Sequence, residues 1–260
     1  MSTRGTHPGP SRKSQPTFRS RAHQHTAASA FVRDADRYHD ARPTYPAEVL
    51  SLLHDTRTVC DIGAGTGKLT QLLLDDTRTT YACDPSADMA RVLHNQLPEV
   101  PVWRATAEAT GLGDNSVDAI TCAQTWHWVD AHEASSEADR VIRPGGTLML
   151  CWNTLAVRHP WVLRLSRIMH SGDVQREGFY PTVAAPWRLE REVRTEWVDM
   201  IAVEDCFELM ATRSYWLKAN ENTRAKMEAN LSWYLYERLG FDRGQTIPLP
   251  YRTDAFAYRR

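Results

Sequence analysis

From Val59 onward, short apolar runs alternate with helical patterns roughly every 20–30 residues, and this rhythm constrains the fold more than any other feature. Thr58-Val59-Cys60-Asp61-Ile62 is followed by Leu69 through Leu74, and Thr80-Tyr81-Ala82-Cys83 by Met89 through Leu97. Pro101-Val102-Trp103, Val117 through Cys122 and Thr147 through Trp152 continue the series, with a helix at about 131–142 between the last two. Strands separated by helices need crossover connections, which make the sheet parallel and bury both of its faces. The pattern predicts an α/β domain with a doubly wound parallel sheet. Beyond Asn153 it breaks into a helix at about 160–170, a loop-rich stretch holding Pro181 and Pro186, two polar-faced helices between about 205 and 239, and a final strand near 246–258. These pieces predict a small helical cap at about 155–240 inserted in one domain spanning 31–260.

Residues 1–30 carry five basic residues and no acid amid Ser, Thr, Pro and His, so they predict a disordered basic tail. An organelle transit peptide and an electrostatic tether stay open beside a tail without a role. The net charge of −1 argues against a global nucleic-acid-binding field. No run reaches about 18 uninterrupted apolar residues and no apolar signal segment opens the chain, which therefore reads as cytoplasmic and without a membrane span. Cys60, Cys83, Cys122 and Cys151 fall within predicted strands, as small buried hydrophobes would in a reducing compartment. With no Cys-x-x-Cys and no helically paired His, no metal site is expected.

Asp61-Ile62-Gly63-Ala64-Gly65-Thr66-Gly67 follows the first strand and opens a helix, where a doubly wound sheet places its ligand. A triphosphate loop fails twice, because Ile62 replaces its first glycine and Leu69 its metal-binding hydroxyl. A dinucleotide fingerprint is weakened by Lys68 in place of its third glycine. The remaining Gly-x-Gly-x-Gly, preceded by an acid, resembles motif I of the class I S-adenosylmethionine-dependent methyltransferases, and this resemblance implies their Rossmann-like fold with a mostly parallel seven-stranded sheet.

Further segments match that family in order. Asp84 ends the second strand, where an acid accepts from ribose hydroxyls, a role that serves NAD enzymes equally. Asp84-Pro85-Ser86-Ala87-Asp88-Met89 is similar to the family's Asp-x-Ser-x-x-Met, with Ser86 capping a helix and Met89 against adenine. Ala105-Thr106-Ala107-Glu108 with Leu112 resembles the Gly-Asp-Ala-Glu segment, which implies Thr106 and Ala107, with Glu108, along the adenine edge; Ala105 and Thr106 depart from its Gly and Asp. Pro144-Gly145-Gly146 resembles the family's turn into strand five. The resemblance spans about residues 31–155 and implies S-adenosylmethionine as cofactor, held by Asp61, Gly63, Ala64, Gly65, Gly67, Asp84, Pro85, Met89 and Gln124 as well as the adenine-edge residues.

The lead-in Asp36 to Pro46 looks like that of the subgroup containing the ubiquinone/menaquinone C-methyltransferases and trans-aconitate methyltransferase. This implies Tyr38 over the sulfonium and Arg42 on the methionine carboxylate, the alternative for Arg42 being an ion pair with Asp36 or Asp40. Ala123-Gln124-Thr125-Trp126-His127-Trp128-Val129-Asp130 resembles the subgroup's His-Trp-Phe-Asp segment at the acceptor end of strand four. Two indoles around one imidazole make an apolar wall with a single titratable group; His127 is either a catalytic base or a ring bonded to the backbone. Trp126, Trp128, Trp152 and Asn153 are the other acceptor-side candidates, and Trp161, Phe179, Tyr180 and Trp187 suggest an aromatic lid. The segment after strand four is not the Pro-Pro-aromatic of amine-methylating DNA enzymes, which disfavours nucleic acid. The expected reaction is O- or C-methylation of a small, partly apolar molecule; an NAD(P)-binding oxidoreductase and a regulator that binds the cofactor without turnover are the alternatives.

Overall fold

The computed structural model describes residues 35–75, 77–171 and 175–260; the predicted tail lies outside them. The order of elements is α1 (Ala35–Ala41), a 3-10 turn (Ala47–Leu52), β1 (Thr58–Ile62), α2 (Lys68–Leu73), β2 (Thr79–Cys83), α3 (Ala87–Gln96), β3 (Val102–Trp103) and β4 (Val117–Ala123). A second 3-10 turn (Trp126–Trp128), α4 (Ala131–Val141), β5 (Ile142–Leu155) and α5 (Pro160–Ile168) follow. The chain then runs through β6 (Arg188–Ala202), α6 (Asp205–Ala211), α7 (Ser214–Lys218), α8 (Glu221–Ser232), a π-helical turn (Trp233–Arg238) and β7 (Thr246–Arg259).

The seven strands form one sheet in the order β3-β2-β1-β4-β5-β7-β6. Strands β3, β2, β1, β4 and β5 are mutually parallel, while β7 runs antiparallel to both β5 and β6. The strand order reverses between β1 and β4, so the carboxyl ends of these strands open the crevice in which this architecture binds ligands. Buried apolar residues alternate onto two faces. Ile62, Ile120, Leu148 and Leu150 pack with α4 residues on one face, and Val59, Leu69, Leu73, Met149 and Cys151 with the first 3-10 turn on the other. All five cysteines are buried and free.

Helix boundaries follow local chemistry. Ser86 Oγ accepts from Met89 N to cap α3, and Asp130 accepts from the His132 and Glu133 amides to cap α4. Between Ile142 and Thr147 the register with β4 shifts, so Pro144-Gly145-Gly146 loops out of β5 instead of preceding it.

The strand pattern missed β6. This 15-residue strand occupies part of the stretch read as loop, and the cap is built on either side of it, by α5 and by α6 through the π-helical turn. Where two helices were expected between 205 and 239, three helices and the π-helical turn occur. Beyond Leu155 the antiparallel β6–β7 pair overhangs the sheet, with Ile201 opposite Ile247 and Asp199 opposite Leu249. Leu165, Met210, Leu231, Leu235, Ile247 and Leu249 of the cap and this overhang share a buried cluster, which fixes the cap above the carboxyl edge of the sheet.

Candidate active site

The glycine turn after β1 has a different requirement at each glycine. Gly63, Gly65 and Gly67 all have positive φ, which glycine adopts without the Cβ penalty. At Gly63 a Cβ would overlap the side chain of Thr125, whose Oγ1 donates to the Gly63 carbonyl at 3.0 Å. At Gly65 a Cβ would meet nothing within 4 Å, so there the bare backbone faces open space. At Gly67 the neighbours are Leu93 of α3 and Leu97 just past its end, so this glycine serves helix packing and is not in the cavity wall.

Two carboxylates hold the turn. Asp61, 1% exposed at the end of β1, accepts from Thr70 Oγ1 at 2.7 Å and Thr121 Oγ1 at 2.8 Å. Burial pushes its pKa up to about 6 against these two hydrogen bonds. Asp84, at the end of β2, accepts from the Gly65 amide at 2.9 Å and the Ser86 amide at 2.8 Å, and burial raises its pKa too.

These groups open on a cavity of about 860 Å³. Of the residues expected to hold the cofactor, Tyr38, Arg42, Asp61, Gly63, Ala64, Gly65, Asp84, Pro85, Met89 and Gln124 line it. Thr106, Ala107 and Glu108 do not. Thr106 is exposed, Ala107 turns into the core beneath the sheet, and Glu108 accepts from the Asp130 amide at 2.8 Å. Arg42 donates to Thr212 Oγ1 at 3.0 Å and lies 5.0 Å over the Tyr38 ring, so one ring face expected for the sulfonium carries a guanidinium. Asp36 pairs with Arg91 at 2.8 Å. Gln124 adopts a positive φ at the end of β4, and its buried Oε1 has no hydrogen-bond partner. Strain and an unmet polar atom at one residue are common marks of a functional position.

On the acceptor side, His127, Trp128 and Asn153 line the cavity, while Trp126 and Trp152 do not. Trp126 turns into the core, where its Nε1 donates to the Thr182 carbonyl at 2.8 Å. Trp152, 2% exposed, packs edge-to-face on Phe179 and Phe256 and donates from Nε1 to His127 Nδ1 at 3.2 Å. Asn153 ties the lead-in to the sheet: its Nδ2 donates to the Thr44 carbonyl at 2.8 Å and its Oδ1 accepts from Thr253 Oγ1 at 2.6 Å. The expected aromatic lid is not built. Phe179 and Trp187 belong to the core below the sheet, Trp161 packs within the cap, and Tyr180 is exposed.

The cap wall instead presents Arg167 and His170 from the end of α5, and Arg213, Tyr215 and Lys218 from around α7. His170 stacks on Tyr215 at 4.0 Å. None of these residues belongs to a motif, and no signal in the sequence singles them out. Lys68, which also lines the cavity, was visible only as the residue that spoils a dinucleotide fingerprint; burial lowers its pKa.

Comparison with known proteins decides between the readings that this geometry leaves. An uncharacterized methyltransferase of Mycobacterium tuberculosis is 37% identical over 219 residues, covering 83% of this chain and 89% of that protein. The chain belongs to the class I S-adenosylmethionine-dependent methyltransferases. A family model described as a methyltransferase domain matches residues 60–150 of this methyltransferase. An uncharacterized methyltransferase of Schizosaccharomyces pombe is 36% identical over 54% of the methyltransferase's chain and 58% of its own. Among solved structures, a protein of Anaeromyxobacter dehalogenans provisionally described as a type II methyltransferase superimposes with a TM-score of 0.64 at 22% identity, over 84% of this chain and 97% of its own. The oxidoreductase and non-enzymatic readings fall away. S-adenosylmethionine is the cofactor, and the open backbone at Gly65 beside the buried carboxylate of Asp84 fits a nucleoside.

Among the described residues, no group of His, Cys, Asp or Glu is arranged to hold a metal ion, and no helix is long and apolar enough to cross a membrane.

Proposed function

We propose that this methyltransferase methylates an oxygen or carbon of a small molecule held between the glycine turn and the cap. The observation that carries this reading is the continuity of one cavity, from Gly65 and Asp84 at the sheet edge to Arg167, Arg213 and Tyr215 under the cap. Its size falls within the range of about 300–1,000 Å³ usual for small-molecule sites. The lead-in helix and the turn around His127 support a place beside the ubiquinone/menaquinone C-methyltransferases and trans-aconitate methyltransferase. The net charge of −1 argues against a nucleic-acid acceptor.

When bound, the cofactor supplies a sulfonium leaving group and an electrophilic methyl. The chain's own residues bind and align. Each Asp84 oxygen accepts one main-chain amide and keeps lone-pair capacity for a ribose hydroxyl. Asp61, through Thr70 and Thr121, fixes the carboxyl edges of β1 and β4 relative to α2. Asn153, bonded to Thr44 and Thr253, holds the lead-in against the sheet at the cavity wall. Alignment of this kind is worth up to roughly 7–11 kcal/mol of a barrier, more than one general base adds. On the cap side the described lining includes Arg167, Arg213 and Lys218 and no carboxylate, which favours an acceptor rich in oxygen.

The test is incubation of the full chain with methyl-labelled S-adenosylmethionine and a deproteinised small-molecule extract, followed by mass spectrometry. The expected result is a labelled product heavier than an extract component by one CH2 unit. Label that enters only added nucleic acid or protein would overturn the reading.

A further inference from the structure

An indole N–H is a donor and never an acceptor, so the imidazole nitrogen facing Trp152 Nε1 must keep its lone pair. With Nδ1 accepting, the proton of the neutral His127 ring sits on Nε2. Neither partner has room to renegotiate this. Trp152 is wedged between Phe179 and Phe256, with ring centroids at 5.3 and 6.0 Å. The turn carrying His127 is pinned by the Trp128 amide on the Thr125 carbonyl at 2.7 Å and by Trp126 Nε1 on the Thr182 carbonyl. Moving the proton to Nδ1 would set two donors face to face and leave the buried indole N–H without an acceptor.

We infer that His127 meets the methyl acceptor as an Nε2–H hydrogen-bond donor, with Trp152 as the positioning residue that fixes this tautomer, and that the pair selects acceptors presenting an oxygen lone pair, as in a carbonyl or carboxylate. This rests on the acceptor occupying the cavity that His127 lines. A base acting through Nε2 needs a lone pair there, which the Trp152 contact denies. A hydrogen-bond-accepting oxygen also suits the Arg167, Arg213 and Lys218 side of the same cavity.

The test uses the full chain labelled with 15N-histidine, with His127 assigned by the resonance lost in His127→Gln. Long-range proton–nitrogen spectra near neutral pH should show His127 protonated on Nε2 and bare on Nδ1, and Trp152→Phe should relax this to a tautomer mixture. A proton on Nδ1 in the wild-type chain overturns the inference, and the spectra need no acceptor. In the labelled-methyl assay, glutamine keeps a donor near the Nε2 position but is no base. His127→Ala should fall about 10- to 100-fold, and His127→Gln should recover most of that loss. Equal loss in both variants contradicts the donor role. Wild-type chain that gains no thermal stability from S-adenosylhomocysteine would instead count against the cofactor assignment.

Discussion

Oδ2 of Asp84 accepts the amide of Gly65 at 2.9 Å, so the acid that ends β2 also sets the conformation of the glycine turn after β1. Asp84→Ala therefore removes a ligand carboxylate and loosens the opposite wall together. Hydrogen bonds to charged groups are each worth about 1.5–3 kcal/mol, so S-adenosylmethionine affinity should fall roughly 10- to 100-fold or more. Titration calorimetry measures it; unchanged affinity would remove Asp84 from the site.

Gly63 and Gly65 should separate folding from binding. Alanine at Gly63 collides with Thr125 and should lower the melting temperature markedly, whether or not ligand is present. Alanine at Gly65 meets no protein atom, so beyond the cost of its positive φ it should act mainly by obstructing the cofactor. Calorimetric melting of both variants with and without S-adenosylhomocysteine checks this. A Gly65→Ala protein that binds normally would show that the open space is not where the cofactor lies.

Asp61 makes stability depend on pH with a definite sign. Its folded carboxyl holds a proton up to about pH 6, whereas the unfolded one releases it near 3.8. The folded state thus binds more protons between these values, and the contribution is present below pH 3.8 and lost as pH rises through 6. About two pKa units correspond to about 3 kcal/mol. Asp61→Asn, which keeps an acceptor for one threonine hydroxyl, should gain stability relative to wild type as pH rises from 4 to 7. Denaturant melts across that range test it; a difference that shrinks with pH refutes the assignment.

Asp254 is fully buried on β7 and pairs with Arg194 at 2.7 Å and Arg252 at 2.8 Å. Through further bonds to the carbonyls of Phe179 and Gln175, the two arginines hold the segment leading into β6. Asp254→Ala strands both cations and should cost about 3 kcal/mol in chemical denaturation, with little change in cofactor affinity of the folded protein. A near-neutral effect would mean that water replaces the carboxylate.

Strands β1, β2, β4 and β5 were legible as mostly buried apolar runs and β3 as a short half-buried one, and the glycine turn and Asp84 because contiguous residues shape them. Strand β6 was not. It is an edge strand whose Arg188, Glu190, Arg191 and Glu192 are exposed, and charge on an edge hides the period-two pattern while protecting against further pairing. Spacing placed Thr106 and Ala107 at the right point along the chain but carried no information on which way their loop faces. Arg167, Arg213 and Tyr215 are brought to the cavity by helix packing in the cap, a long-range property that local sequence does not encode. Trp152 was picked out for its position and lies behind His127, outside the cavity wall, with its Nε1 on His127 Nδ1.

The most direct measurement of the central claim is a crystal structure of the full chain grown with S-adenosylhomocysteine. The account predicts the nucleoside against the backbone of Gly63 to Gly65, with its ribose hydroxyls on Asp84 and the homocysteine sulfur facing the His127 side of the cavity. A ligand bound elsewhere, with the Gly65 and Asp84 end of the cavity empty, would contradict it.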